Sequence, residues 1–198
     1  MFSEEEKSKV WEATKDSFHE NGLKEMTLAD ISEKAGISEE KIKENYNSKD
    51  DIIIELMSRG IDDVSQILQK SIHSRGKADV KLSRFVKTLL RDYEIHAPLF
   101  RLVSMNFQNL DDECLELRKL LTQDQIDRYR LNTVIMGRLI AEGQSEGIFR
   151  KADPLECAYF LRGIIHGAIR FWQDTKMEGE LGDFADRVMR IFLTGVYK

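Results

Sequence analysis

Metal binding is the first chemistry to test, because His96, His166, Cys114 and Cys157 include the best potential ligands in this 198-residue chain. No two of them stand three or four residues apart, the spacing at which one helix face presents a ligand pair, so no metal is expected. Catalysis has no better footing. A Gly-rich phosphate loop, a nucleophile elbow and a paired-carboxylate arrangement are all missing, so the sequence predicts neither an enzyme nor a cofactor. What remains is hydrogen bonding along Ser38-Glu-Glu-Lys-Ile-Lys-Glu-Asn-Tyr-Asn-Ser-Lys49. With Ile42 as the buried direction and 100° per residue, Glu40 and Glu44 fall about 160° away on either side, Asn47 at about 140°, and Lys41 and Lys43 on the shoulders. A glutamate on such a ridge can accept a hydrogen bond from cytosine N4 in the major groove of DNA, while its charge repels phosphate.

Those side chains need a frame, and the flanking residues write one. Thr27-Leu-Ala-Asp-Ile-Ser-Glu-Lys-Ala-Gly precedes them, with Ile31, Ala35, Ile37, Ile42 and Tyr46 apolar. Two short helices, about 28–35 and 39–46, joined through Gly36 make a helix-turn-helix. Gly36 supplies the positive φ that ends the first helix, and Ser38 caps the second. Such a unit cannot bury its own apolar face. The amphipathic stretch about 3–21, stopped at Asn21-Gly22, is the expected third wall.

Further starts appear where Ser48 precedes Asp51 and Asp153 precedes Glu156, as they do for Ser3 with Glu6 and Thr27 with Asp30. Helical spacing continues over about 49–73, 78–95, 98–108, 113–145, 154–176 and 182–196, without strand signals. The expectation is an all-α chain of about nine helices. A helix-turn-helix domain at 1–48 precedes a larger domain at 49–198.

Charge is uneven between these parts. Residues 1–58 hold 8 Lys, no Arg and 15 acidic residues, a net of −7, while the remainder nets +2 within a total of −5. An acidic module lacks the counterion release that usually dominates DNA affinity. No apolar run approaches the ~20 residues of a membrane span. The opening Met-Phe-Ser-Glu-Glu-Glu is acidic where a signal peptide is basic, and two cysteines are too few for a disulfide framework. A cytoplasmic protein with no membrane partner is expected.

Phe18 and Gly22, the run from Thr27 to Ser38, and Tyr46-Asn-Ser-Lys-Asp-Asp-Ile before a long helix resemble the TetR family of transcriptional regulators. Further on, Glu142-Gly-Gln-Ser-Glu-Gly-Ile-Phe and the Asp153-Pro start look like that family's late-helix junction. The resemblance implies a homodimer formed largely by the last two helices, an effector cavity in the larger domain, and operator DNA as partner. It implies that Thr27, Lys43, Tyr46 and Lys49 touch or brace the DNA backbone. Ser38, Glu40, Lys41, Glu44, Asn45 and Asn47 complete the expected DNA-binding set.

In the larger domain Tyr93, Phe100, Val103, Phe107, Tyr129, Phe160, Phe171 and Trp172 are candidates for lining the effector site, with ordinary core packing as the alternative for each. The stretch from Leu115 to Lys119, the region from Gly137 to Gly147, and Trp172 are similar to the family's fatty-acid-degradation regulators, which respond to long-chain acyl-CoA. That likeness implies a hydrophobic or amphipathic effector, with Arg128, Arg130, Arg162 or Arg170 available for an anionic head. Gly163 and Gly167, four apart, would let another helix approach closely, either from a second subunit or from the same chain. Phe184, Val188 and Phe192 on the last helix are expected at the same dimer interface. The reading is a ligand-responsive regulator, a repressor released from a palindromic operator. The alternative is a small-molecule-binding or protein-interaction dimer whose helix-turn-helix is vestigial.

Overall fold

The computed structural model describes residues 1–95, 119–175 and 179–196. Among them are eight α-helices and a 3₁₀ turn, with no strand. They are α1 (Glu4–Glu25), α2 (Leu28–Ala35), α3 (Glu39–Lys43), α4 (Lys49–Ile72), α5 (Ala78–Ile95), α6 (Gln123–Ser145), α7 (Pro154–Thr175), the 3₁₀ turn Leu181–Phe184, and α8 (Ala185–Val196). The helix expected over 98–108 lies outside the described residues.

Local chemistry starts and stops these helices. Ser3 and Glu6 form a reciprocal capping box on α1, and three glutamates occupy its first turn, at the positive end of the helix dipole. Thr27 and Asp30 do the same for α2. The Thr122 hydroxyl accepts from the Gln125 N–H at 3.2 Å while the Gln125 side chain accepts from the Thr122 N–H at 2.9 Å, which opens α6. Asp153 accepts from the Leu155 and Glu156 N–H groups at the start of α7. The expected stop at Asn21-Gly22 is a kink instead. Gly22 takes φ 72° inside α1, and helical bonding resumes as far as Glu25.

The helices fall into two compact units. The first is Met1–Gly60 with Pro98–Gln125, of which 119–125 lie among the described residues. Its core gathers Val10, Ala13, Ile31, Ile42, Ile53 and Met57, with Leu120 and Leu121 packed against it. This boundary differs from the expected one at 48. Ile52, Ile53, Leu56 and Met57 on the first turns of α4 are buried in the same core as Ile42, so residues 49–60 belong with the helix-turn-helix.

The second unit is Ile61–Ala97 with Ile126–Lys198. Leu82, Phe85 and Val86 of α5, Ile140 of α6, Leu161 and Ile165 of α7, and Val188 and Phe192 of α8 form its interior. Each such side chain contributes roughly 1.5–3 kcal/mol by leaving water. The α6–α7 junction turns at Gly147 (φ 72°), where the Ile148 and Phe149 N–H groups donate to the Gly143 carbonyl.

Candidate functional site

The helix-turn-helix is built as its residues require. Gly36 sits at φ 64°, ψ 31°, ending α2 in the left-handed region. The Ser32 hydroxyl donates to the Ile37 carbonyl at 2.6 Å across the turn, and Ser38 caps α3 through the Lys41 N–H. Ile42 is fully buried, which fixes the rotation of α3 about its axis. The opposite side is therefore solvent-facing: Ser38, Glu40, Lys43, Glu44 and Asn47 are all exposed, as is Thr27 at the start of α2.

The remaining expected DNA contacts are committed elsewhere. Lys41 pairs with Glu6 of α1, and Asn45 accepts the Phe2 N–H at 3.0 Å while donating to the Lys41 carbonyl at 2.9 Å. Tyr46 is buried, its ring tilted against Phe2 and its hydroxyl donating to Glu55 at 2.5 Å. Burial first, then the Glu55 carboxylate, hold that phenol well above its ordinary pKa. Lys49 donates to the carbonyls of Leu23, Met26 and Lys24 at 2.6, 2.7 and 3.2 Å, so its ammonium closes the end of α1. Tyr46 and Lys49 thus spend their polar ends on bonds inside the unit, an arrangement that braces the helix-turn-helix.

Lysine pairing extends across the unit. Lys7 meets Glu55 at 2.5 Å, Lys9 meets Glu5 at 2.7 Å, Lys15 meets Glu12 at 2.7 Å, Lys34 meets Glu20 at 2.7 Å and Lys43 meets Glu39 at 2.6 Å. With Lys41 and Lys49, seven of the eight lysines in residues 1–58 have partners named here. The carboxylate neighbours hold Lys9, Lys34 and Lys43 above the ordinary lysine range. Exposed pairs of this kind contribute little to stability, so a phosphate can compete for Lys9 or Lys43. Sequence reasoning missed the partners Phe2, Glu6 and Glu55; only the Ser3–Glu6 cap hinted that Glu6 was placed.

In the second unit, Tyr93 is wholly buried in the core. Tyr129 lies beside Arg162, whose guanidinium sits 4.9 Å from its ring and 4.6 Å from that of Tyr159. The Trp172 indole N–H donates to the Gly179 carbonyl at 3.2 Å. Phe100, Val103 and Phe107 lie outside the described residues. Phe160 and Phe171 do not line an interior: they are 59% and 50% exposed on α7. Gly163 and Gly167 are exposed on the same helix, with open space where a side chain would stand.

Phe184, Val188 and Phe192 require a correction as interface residues. They are buried within their own unit, because α8 and the 3₁₀ turn pack that side against α5 and α7. The large apolar side chain that α8 shows to solvent is Ile191. Among the described residues no cluster of His, Cys, Asp and Glu is arranged to hold a metal, and no helix is long and apolar enough to cross a membrane.

No protein-family model and no curated protein matches the sequence. Solved structures do match the fold along its whole length. The fatty-acid-degradation regulator FadR from Bacillus halodurans aligns at TM-score 0.80 and 17% identity, covering 98% of each chain. FadR from Bacillus subtilis, solved in complex with stearoyl-CoA, aligns at 0.77 and 19%, covering 96% of this chain and 99% of that one. A TetR/AcrR-family regulator from Thermobifida fusca aligns at 0.70 and 22%, covering 96% and 97%. The chain has the all-α fold of TetR-family transcriptional regulators.

Proposed function

We propose, with that fold as premise, that the chain is a ligand-responsive, non-enzymatic transcriptional regulator of the cytoplasm. It works as a homodimer whose two α3 helices read a near-palindromic operator. The observation that carries this reading is the exposure of Glu40 and Lys43 on a capped α3, and of Glu44 and Asn47 at and beyond its end, with Ile42 fully buried. Two-fold symmetry sets the half-sites about one DNA turn, ~34 Å, apart or more.

In the finer reading it is a repressor released by a hydrophobic or amphipathic effector bound in the second unit. An acyl-CoA is the first candidate, because a structure of the same fold was solved with stearoyl-CoA. Effector binds better to the conformation in which the reading helices are wrongly spaced, which shifts the population away from DNA. The coupling is reciprocal, so operator DNA weakens effector binding by the same factor.

The lysine pairing and the two exposed glutamates favour a second reading, a small-molecule-binding or protein-interaction dimer whose helix-turn-helix no longer binds DNA. Selection of binding sites from random duplexes at low salt separates the two. Enrichment of a near-palindrome with cytosines under α3 supports the regulator. Equal affinity for selected and scrambled DNA rejects it. For the effector, thermal stabilisation by a long-chain acyl-CoA, absent with cationic dyes of matched size, is expected; the opposite pattern rejects that branch.

A further inference from the structure

Arg162 on α7 is a cation without a carboxylate partner among the described residues. Its Nη1 donates to the Thr133 hydroxyl of α6 at 2.8 Å, and the rings of Tyr129 and Tyr159 flank its guanidinium at 4.9 and 4.6 Å. Those contacts hold the group in place while leaving most of its five N–H donors unspent. One helical turn further along α7 stands His166, whose Nδ1 is buried and has no hydrogen-bond partner. An unsatisfied buried polar atom is uncommon and costly, which marks a place where a missing group would bond. Thr133, which faces Arg162 from α6, is a buried polar residue as well.

A fixed cation flanked by two aromatic rings and, one turn on, an orphaned imidazole nitrogen stand on α7, and among the described residues no carboxylate is paired with either. In the Nδ1–H tautomer, His166 offers a donor with nothing to receive it. Burial and the Arg162 charge keep the imidazole neutral, so the two side chains do not repel as two cations would. An oxyanion that reaches both groups accepts from the guanidinium and from the Nδ1–H.

We infer that Arg162 and His166, with Thr133 and Tyr129 behind them, form the binding site for a carboxylate or phosphate group, carried by the head of an amphipathic ligand. The inference rests on the effector reading above and adds to it the residues that select an anion. The same oxyanion chemistry could be supplied by free phosphate, so the test carries an arm for each source.

The test is calorimetry on the full chain with dodecanoate, dodecyl phosphate, dodecanol, dodecyltrimethylammonium and inorganic phosphate, each below its micellar concentration. The wild type is expected to bind both anionic amphiphiles more tightly than dodecanol, and the cation least. Arg162→Gln is expected to weaken the two anions about ten- to hundredfold and leave dodecanol unchanged. Equal weakening of all amphiphiles, or none, overturns the anion site while leaving an amphipathic effector in place. Arg162-dependent binding of inorganic phosphate alone supports the anion site and rejects the amphiphile. No binding by any probe to the wild type defeats both. Should Arg162→Gln fail to fold, the His166 ring resonance, identified by its absence in His166→Gln, must move when dodecanoate or phosphate is titrated into the wild type. A stationary resonance overturns the inference.

Discussion

The Lys49 ammonium lies 2.6 Å from the Leu23 carbonyl, and the same nitrogen reaches the Met26 and Lys24 carbonyls. The chain there runs through a kink at Gly22, so these carbonyls sit at the frayed end of α1, where helical partners run out. Lys49→Met is expected to destabilise the chain by about 1–3 kcal/mol in urea unfolding, since several acceptors lose a charged donor at once. It should leave the salt dependence of DNA binding nearly unchanged. Lys43→Ala should do the reverse, lowering the slope of log affinity against log salt by about one while stability stays level. A steep loss of salt slope in Lys49→Met would place that ammonium on phosphate instead.

Glu40 on α3 and Glu44 at its C-cap are exposed one turn apart. Glu44→Ala is expected to relax sequence preference more than it weakens binding, because it removes both a base acceptor and a phosphate repulsion. Glu40→Gln with Glu44→Gln should raise affinity for scrambled duplex at low salt. Competition binding against selected and scrambled sites reads both effects. A double variant that binds every duplex less well than the wild type would mean that the ridge does not face DNA.

How far the sequence could be read depended on the range of each interaction. The caps at Ser3, Thr27 and Asp153 link residues three apart or fewer, and the exposure of Glu40 and Glu44 follows from the geometry of one short helix around Ile42, although that helix ends at Lys43 rather than near 46. The pairs Lys49–Leu23, Lys41–Glu6 and Tyr46–Glu55 join residues 26, 35 and 9 positions apart, and each depends on how α1, α3 and α4 pack. No periodicity encodes that. Phe184, Val188 and Phe192 illustrate the other limit. An apolar stripe says that something covers it, and here the cover is α5 and α7 of the same chain rather than a second copy.

The same distinction yields a paired prediction for assembly. Phe160, Gly163, Gly167 and Phe171 line an exposed face of α7, and a Cβ on either glycine would meet nothing within 4 Å. Phe160→Asp or Gly167→Arg is expected to shift a dimer toward monomer in sedimentation velocity with little change in helical content. Phe192→Ala should instead lower stability by about 3–5 kcal/mol through a core cavity. A Phe160→Asp variant that stays fully dimeric at micromolar concentration would exclude this face of α7.

Gly143 tests the junction that opens toward α7. A Cβ added there would stand 2.4 Å from two atoms of the Phe149 ring and 3.0 Å from the Ala78 Cβ, and Phe149 is itself buried. Gly143→Ala is expected to destabilise by about 1–3 kcal/mol from overpacking, despite the better helix propensity of alanine. Pairing it with Phe149→Leu should recover part of that loss, because the clash is with the ring. A stabilised Gly143→Ala would show that Phe149 moves aside freely.

His166 gives the chain a pH-dependent stability whose sign can be worked out. Burial, then the Arg162 charge, lower its folded pKa to about 4 from 6.5. Between those values the unfolded chain holds a proton that the folded chain excludes, so stability falls as pH drops from 6.5 toward 4. Above 6.5 the group is neutral in both states and contributes nothing to the slope. The slope is steepest midway between the two values and levels off below 4. Other groups titrate there too, so the measured quantity is the difference between wild type and His166→Gln in urea unfolding at pH 7, 5.5 and 4.5. That difference should move in the variant's favour as pH falls. A gap that stays constant across the three pH values would mean that His166 is solvated in the folded protein, and its Nδ1 would then need no ligand to explain it.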